Sequence, residues 1–545
     1  MYDSANNKMT DRATIAEHLA FLVEDISSSD GPLLWPPDMF AVAASLLLIS
    51  GGYCVVSCDW PPRKDWVASA QSNGERWRKS FMRRAPARVN TLWKLLIAKG
   101  DTPLTEIQKD HSLCTVLIEL LAIADEASGG AGVPFNPAYS DTFDSTAESL
   151  LAISNSNGGA NLCTRVRDTA ARVLPKMHVP QSGLTLRSFS HHLAYIPSSE
   201  IRPFWGPAGT APVEAQALDI LLLPWPLKLS AKNFKQVKPS EATMRNLPKH
   251  FGFFEFEHQN DANLADEVLS AVRSAAAACE SSIDAVIMPE LSLSVSEYEL
   301  ISSVLFGQGI YLIAGVGGER NPDGTTDNSV RFNVPLFTHK IPISQAKHHR
   351  WKLEKKQIDN YGLSLPKTKQ LWEHIPIKDR SLTFICLRDW LAMCVLICED
   401  LARPDPVGDV IRAVGPNLVI ALLLDGPQMA GRWSGRYATA LADDPGCSVL
   451  TLTSVGMTAL SNPPGVKGVQ QGRGKIALWK DRRGKTHEIN VRSGDAALLH
   501  IEVEEREEWT ADGRGNEGLS GYPLLKSVCI FKNHKKVKAY DIEDE

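Results

Sequence analysis

Short unbroken apolar runs alternate with helix-periodic stretches through the middle of this chain. Residues 218–223, 283–288, 310–314, 391–397, 418–424 and 448–453 each hold an apolar run a few residues long. Runs of that length, bounded by turn residues, predict core strands. A further strand is expected at 331–337, and late ones near 475–480 and 496–503. Between them, 261–279 has helical spacing, with Asp261 as N-cap and Leu264, Val268, Leu269 and Val272 on one face. Helices are also expected over 297–305, 407–414 and near 432–441. Strands alternating with helices predict an α/β layered domain. The glycines Gly315, Gly317 and Gly318 are read as a turn closing the 310–314 strand; they lack the spacing of a phosphate loop or a dinucleotide fingerprint.

The first 200 residues have a different pattern. Helical apolar spacing covers 10–24, 37–49, 89–98 and 104–124, with breaks at 128–132 and 154–159. A Pro/Gly-rich run at 203–212 marks the boundary. The expected organisation is a mainly helical domain over 1–200, a linker over 201–215, an α/β domain over 216–510 and a C-terminal extension over 511–545. Residues 39–58 carry no formal charge, but Asp38 and Gly51 punctuate that stretch as a buried helix rather than a membrane span. Arg76-Trp77-Arg78-Lys79, Arg83-Arg84, Arg88 and Trp93-Lys94 place aromatics among cations. Such a stretch can bind nucleic acid, but a solvated helix face with buried tryptophans is the simpler reading.

Chemistry concentrates where strands end. Cys398 follows the apolar run 391–397 and precedes Glu399-Asp400 and a second helical stretch. A thiol held between strand and helix suits a nucleophile, because the strand fixes it and helix-start N–H groups can stabilise an anion. Glu290 follows the 283–288 run in Met288-Pro289-Glu290. A carboxylate there can be partly desolvated, which raises its pKa toward that of a working general base. Between the two lies the cationic segment 347–356. The pair Asp443-Asp444 lies in a helix-to-strand turn and is not read as a metal site; Cys54 and Cys58 lack a second ligand pair for zinc.

In chain order, Glu290, a lysine of 347–356 and Cys398 make this chain resemble the nitrilase, or carbon–nitrogen hydrolase, superfamily. The motifs are Met288-Pro289-Glu290, Lys347-His348-His349 and Ile397-Cys398-Glu399-Asp400. The last is similar to the glutamine-amidase domains of NAD synthetases. The resemblance spans about 216–505. It implies a nitrilase-like α-β-β-α sandwich that pairs across subunits, as a homo-oligomer. It implies a Glu-Lys-Cys triad that hydrolyses a non-peptide C–N bond, amide before nitrile, through a thioester, with no metal or organic cofactor. It favours Lys347 as the lysine, with Glu354 seven residues on as a second glutamate. Lys340, Lys352 and Lys355 stay open as alternatives. Residues 360–380, with Lys367, Lys369, Trp372 and His374, look like an insertion and a possible lid. Nitrilase-type domains also occur beside reverse transcriptases in bacterial antiviral defence. The helical preface is compatible with that branch, which would imply a reverse transcriptase or nucleic acid partner and a scaffold or oligomerisation role.

Composition sets bounds. At 545 residues, two or three domains are expected. A net charge of −5 gives no global attraction to nucleic acid, and ten cysteines in so long a chain do not suggest a disulfide framework. A catalytic thiol suits a reducing compartment, and Met1-Tyr2-Asp3-Ser4 lacks the basic region of a signal peptide, so a cytoplasmic location without membrane attachment is expected.

Overall fold

The computed structural model describes residues 13–26, 31–56, 64–80, 83–133, 141–180, 183–197, 200–207, 215–238, 248, 250–258, 263–279, 282–336, 339–377, 380–462, 472, 474–492, 494–515, 520–532 and 535–542. The chain forms two compact units. The first comprises 1–206, 408–416 and 505–521; the second comprises 207–407, 417–504 and 522–545.

The first unit is mainly helical. Its described helices include Ile15–Leu22, Pro36–Ser50, Lys64–Ser80, Ala87–Ile97, His111–Ala127 and Thr142–Ser156. Strands β1 (Ala171–Pro175) and β2 (Leu193–Pro197) form a small antiparallel sheet, and β3 (Ile201–Pro207) occupies the start of the stretch expected as a linker. Residues 39–50 of the uncharged stretch lie in helix Pro36–Ser50, buried through Leu47 and closed by Gly51 at φ 66°. Among the described residues no helix is long and apolar enough to cross a membrane. The helix expected over 104–124 divides in two. Leu104–Lys109 is a 3₁₀ turn, and the Asp110 side chain accepts the Leu113 N–H to cap His111–Ala127. The basic aromatic stretch is absorbed structurally: Trp77 and Trp93 are buried, Arg78 pairs with Asp141 and Asp144, and Arg88 grips Glu119.

The second unit is α/β. Its strands are β4 (Ala217–Leu222), β5 (Phe234–Val237), β6 (Phe251–Phe256), β7 (Ala285–Ser294), β8 (Tyr311–Arg320), β9 (Thr326–Leu336) and β10 (His339–Ala346). They continue with β11 (Lys352–Leu353), β12 (Gln370–Glu373), β13 (Arg380–Arg388), β14 (Leu391–Ile397), β15 (Leu418–Leu423) and β16 (Ser448–Thr453). The last are β17 (Lys475–Lys480), β18 (Thr486–Asn490), β19 (Asp495–Arg506), β20 (Ser520–Lys532) and β21 (Lys535–Asp541). One sheet runs β10-β9-β8-β7-β4-β19-β20-β21, and a second contains the run β18-β17-β16-β15-β14-β13. The central pairs β4/β7/β8 and β14/β15/β16 are parallel, which is why their sequences are continuous apolar runs: both faces are covered.

Helices Leu264–Cys279 and Val295–Phe306 cover one face of the first sheet, where Val268, Val272, Tyr298, Ile301 and Leu305 meet Leu221, Val286 and Leu312. Helix Trp433–Asp443 packs against β16 and β17 of the second. The two sheets face each other: buried Gln345 on β10 donates to the Val395 carbonyl at 2.8 Å and accepts the Thr383 N–H at 2.9 Å. The layering is α-β-β-α. A small sheet, β11-β12-β6-β5, carries an aromatic cluster of Phe234, Phe254 and Trp351 that packs on Leu291 and Leu424 at the strand ends.

Three further elements, in the second unit, differ from the sequence expectation. The strand expected to stop at 314 continues to Arg320, because Gly315 and Gly317 lie inside β8 against a bulge of β7. Residues 360–380, expected as an insertion, supply β12, paired in parallel with β6. The stretch expected as a C-terminal extension supplies β20 and β21 to the first sheet.

Candidate active site

The two main sheets and the small one converge at the ends of β7 and β14. Strand β7 is buried along its length and bulges between Met288 and Leu293, leaving Glu290 inside with Leu291 at φ 51°. A Cβ on Gly315 of β8 would lie 2.4 Å from the Glu290 Cα, so only glycine lets the bulge approach. Cys398 ends β14 at φ 46°, ψ −105°, just before the short helix Glu399–Ala402, and its N–H donates to the Leu422 carbonyl at 2.9 Å. Among the described residues only Asp25, Leu291 and Cys398 are non-glycine residues with positive φ. Two of these three lie at this one site, and strained backbone persists where the surroundings over-determine it, commonly at functional sites.

Lys347 follows β10 directly and is 2% exposed. Its Nζ donates to Glu290 Oε1 and to Glu373 Oε2, each at 2.7 Å. Asn328 Nδ2 spans the same two carboxylates, at 2.8 Å to Glu290 Oε1 and 2.7 Å to Glu373 Oε1. The backbone N–H of Leu424 donates to Glu290 Oε2 at 2.6 Å, and that of Trp351 donates to Glu373 Oε2 at 3.1 Å. Behind this cluster, buried Asp400 accepts from the N–H groups of His348 and His349 and lies 3.0 Å from His349 Nδ1. It ties the turn after Cys398 to the turn after Lys347, so one carboxylate positions both segments.

The electrostatics follow from burial. Burial alone would lower the Lys347 pKa, but Glu290, Glu373 and Cys398 outweigh it and raise it well above the ordinary lysine value. Lys347 therefore stays an ammonium. Glu290 is pushed up by burial, with Lys347 pulling the other way. The Cys398 thiol is also pushed well up, by burial first and then by Glu290, while Lys347 opposes both. The sulfur is thus held as a neutral thiol. Cys398 faces a cavity of about 190 Å³, whose walls include Trp351, Leu424, Asp425 and Trp433.

Of the sequence candidates, the structure brings Glu290 and Lys347 into contact and sets Cys398 within their electrostatic reach. Glu354 is exposed and stands at the N-terminus of helix Lys355–Asn360, where its N–H donates to Gln357. The second glutamate beside Lys347 is Glu373, so Glu354 does not hold the position expected of it. Lys352 sits over the Trp372 ring at 5.6 Å and Lys355 is exposed; the Lys340 side chain lies outside the described residues. Sequence reasoning missed Glu373 and Asn328, and it quoted Asp400 without a role. Glu373 carried one signal, a charged residue alternating with Leu371 in a short strand-like run.

No family model matches the chain, and no curated protein matches it. Solved structures of nitrilase superfamily members are similar to it. The Saccharomyces cerevisiae protein Nit3, of branch 10 of that superfamily, shares 12% identity over 54% of this chain and 92% of its own, with a TM-score of 0.33. The C. elegans NitFhit protein shares 14% identity over 53% of this chain and 61% of its own, with a TM-score of 0.30.

Proposed function

We propose that this chain is a cysteine-dependent hydrolase of non-peptide C–N bonds, amides before nitriles. The observation that carries the reading is the buried Lys347 ammonium held at 2.7 Å by both Glu290 and Glu373, with the Cys398 thiol in its electrostatic field. An ammonium has three donors, and two are committed to carboxylates, so one remains for a substrate oxygen. Glu290 Oε1 accepts two donors while Oε2 accepts only Leu424 N–H, so Oε2 keeps a lone pair for the thiol proton.

The reaction then balances. Glu290 takes the thiol proton as sulfur attacks the amide carbon. Lys347 holds the oxyanion of the tetrahedral intermediate. The C–N bond breaks, Glu290 returns the proton to the leaving nitrogen, and a thioester on Cys398 remains. Water, deprotonated by Glu290, attacks the thioester and releases the acid and the free thiol. Glu373 and Asn328 position Lys347 and Glu290 without touching the substrate.

Two measurements test this. Exposure to a panel of small primary amides should release ammonia and leave an acyl adduct on Cys398 in intact-mass spectra, and Cys398→Ala should lose both. Ammonia release unaffected by that substitution would refute the reading. The second is a pH profile. Glu290 must be ionised to act, and burial has raised its pKa above the ordinary 4.5. The acid limb of kcat/KM should therefore have its midpoint above 4.5, with activity lost as pH falls through it. A limb at or below the ordinary value would remove Glu290 as the base.

A further inference from the structure

The wall of the Cys398 cavity is negatively charged and aromatic. Its described lining includes the carboxylates Glu399 and Asp425 and the rings of Trp433 and Tyr437, and it includes no lysine or arginine. Both carboxylates have partners nearby. Glu399 meets Arg403 at 3.3 Å, and Asp425 accepts from Arg432 at 3.0 Å and from Trp433 Nε1 at 2.8 Å.

The partners do not cancel the field equally. The Arg403 and Arg432 side chains are 56% and 35% exposed, against 21% for Glu399 and 7% for Asp425. Water screens the cations more than the anions. Behind the thiol, one ammonium stands against the two carboxylates Glu290 and Glu373, which leaves excess negative charge close to the reacting carbon. The Trp433 and Tyr437 rings lie 6.3 Å apart, edge to face, and aromatic faces attract cations as carboxylates do. The cavity, at about 190 Å³, is smaller than the roughly 300–1,000 Å³ usual for drug-sized ligands.

We propose that this cavity selects small amides whose far end carries a positive charge, an ammonium or a guanidinium, and turns away amides bearing a carboxylate. The inference rests on the hydrolase reading above and adds the substrate class. Glu399, at the cavity wall, is a specificity determinant under this proposal and takes no part in the chemistry.

The test uses the full chain and three amides matched in length: 4-aminobutanamide, butanamide and succinamic acid. The expected order of kcat/KM is cationic, then neutral, then anionic, with the first and last separated by at least about tenfold, the ratio that a single modest charge interaction supplies. In Glu399→Gln that ratio should shrink severalfold. Turnover of all three with equal kcat/KM, or with the anionic amide preferred, would overturn this inference and leave the hydrolase reading standing. Absence of ammonia release and of any Cys398 adduct with all three would overturn both. The wild-type series decides the charge preference even where the variant folds poorly.

Discussion

Lys347→Met is expected to abolish turnover and to destabilise the second unit by about 3–5 kcal/mol. The substitution keeps the length of the side chain but removes the ammonium bonded to both buried carboxylates. Glu290 and Glu373 would remain 1% and 4% exposed and face each other through Asn328 alone. Breaking a buried ion pair by deleting one partner costs far more than the pair contributes, because the survivor is stranded. Loss of one oxyanion donor costs a further 10²–10³ or so in kcat. The stability deficit should depend on pH in a definite sense. Without the ammonium, burial holds the folded pKa of Glu290 further above its unfolded one. That penalty is absent below the unfolded value and grows as pH rises through the folded one. Urea midpoints of variant and wild type should therefore converge toward acid and diverge toward neutral pH. A double substitution, Lys347→Met with Glu373→Gln, removes one stranded charge and should recover part of the stability and none of the activity. If Lys347→Met keeps wild-type stability and turnover at neutral pH, the buried cluster is not what organises the site.

The strands that carry the site were legible because each is a continuous apolar run ending in a polar residue. Residues 285–288 of the first run lie in β7 and 391–397 make up β14, and these strands hold Glu290 and Cys398 in place. Lys347 was legible only through its neighbours in sequence. Nothing local separates it from Lys352 or Lys355, and what distinguishes it is burial between carboxylates that lie 57 and 26 positions away. The same limit explains Glu373. The spacing implied by the family resemblance pointed to Glu354, but that residue stands exposed just before helix Lys355–Asn360, and the neighbour of Lys347 arrives on β12 through a parallel pairing with β6. Parallel pairing between distant segments leaves no periodic trace at either end.

The glycines of β8 were misread for a related reason. A run of Gly315, Gly317 and Gly318 has the composition of a turn, and a turn is what local propensity predicts. The strand continues because its partner's backbone fills the space that side chains would take. At Gly317 a Cβ would meet Leu291 Cδ2 at 2.1 Å, and at Gly315 it would meet the backbone of Pro289, Glu290 and Leu291. A glycine inside a strand marks a bulge or a close approach as well as a turn. Here the close approach belongs to the segment that aims the general base proposed above.

Gly315→Ala should therefore disable the proposed hydrolysis from a position behind the β7 bulge. The added Cβ would lie 2.4 Å from Glu290 Cα, 2.4 Å from the Pro289 carbonyl oxygen and 2.6 Å from Leu291 N. All three are backbone atoms, so no rotamer change relieves the clash, and β7 itself has to move. Overpacking of this kind typically costs about 1–3 kcal/mol in stability. The effect on rate is larger, because a shift on the order of 1 Å at a catalytic group costs about 10². The expected result is a folded protein with a modestly lower urea midpoint, kcat reduced by about 10² or more, and slow formation of the Cys398 adduct. Gly307→Ala is the control in the same unit: the helix-end glycine has 3.5 Å to its nearest neighbour, which is ordinary contact, and should leave turnover unchanged. A purely structural role for Gly315 would lower stability while the folded fraction kept its wild-type rate. Wild-type kcat in folded Gly315→Ala would show that the β7 bulge does not position Glu290 for catalysis.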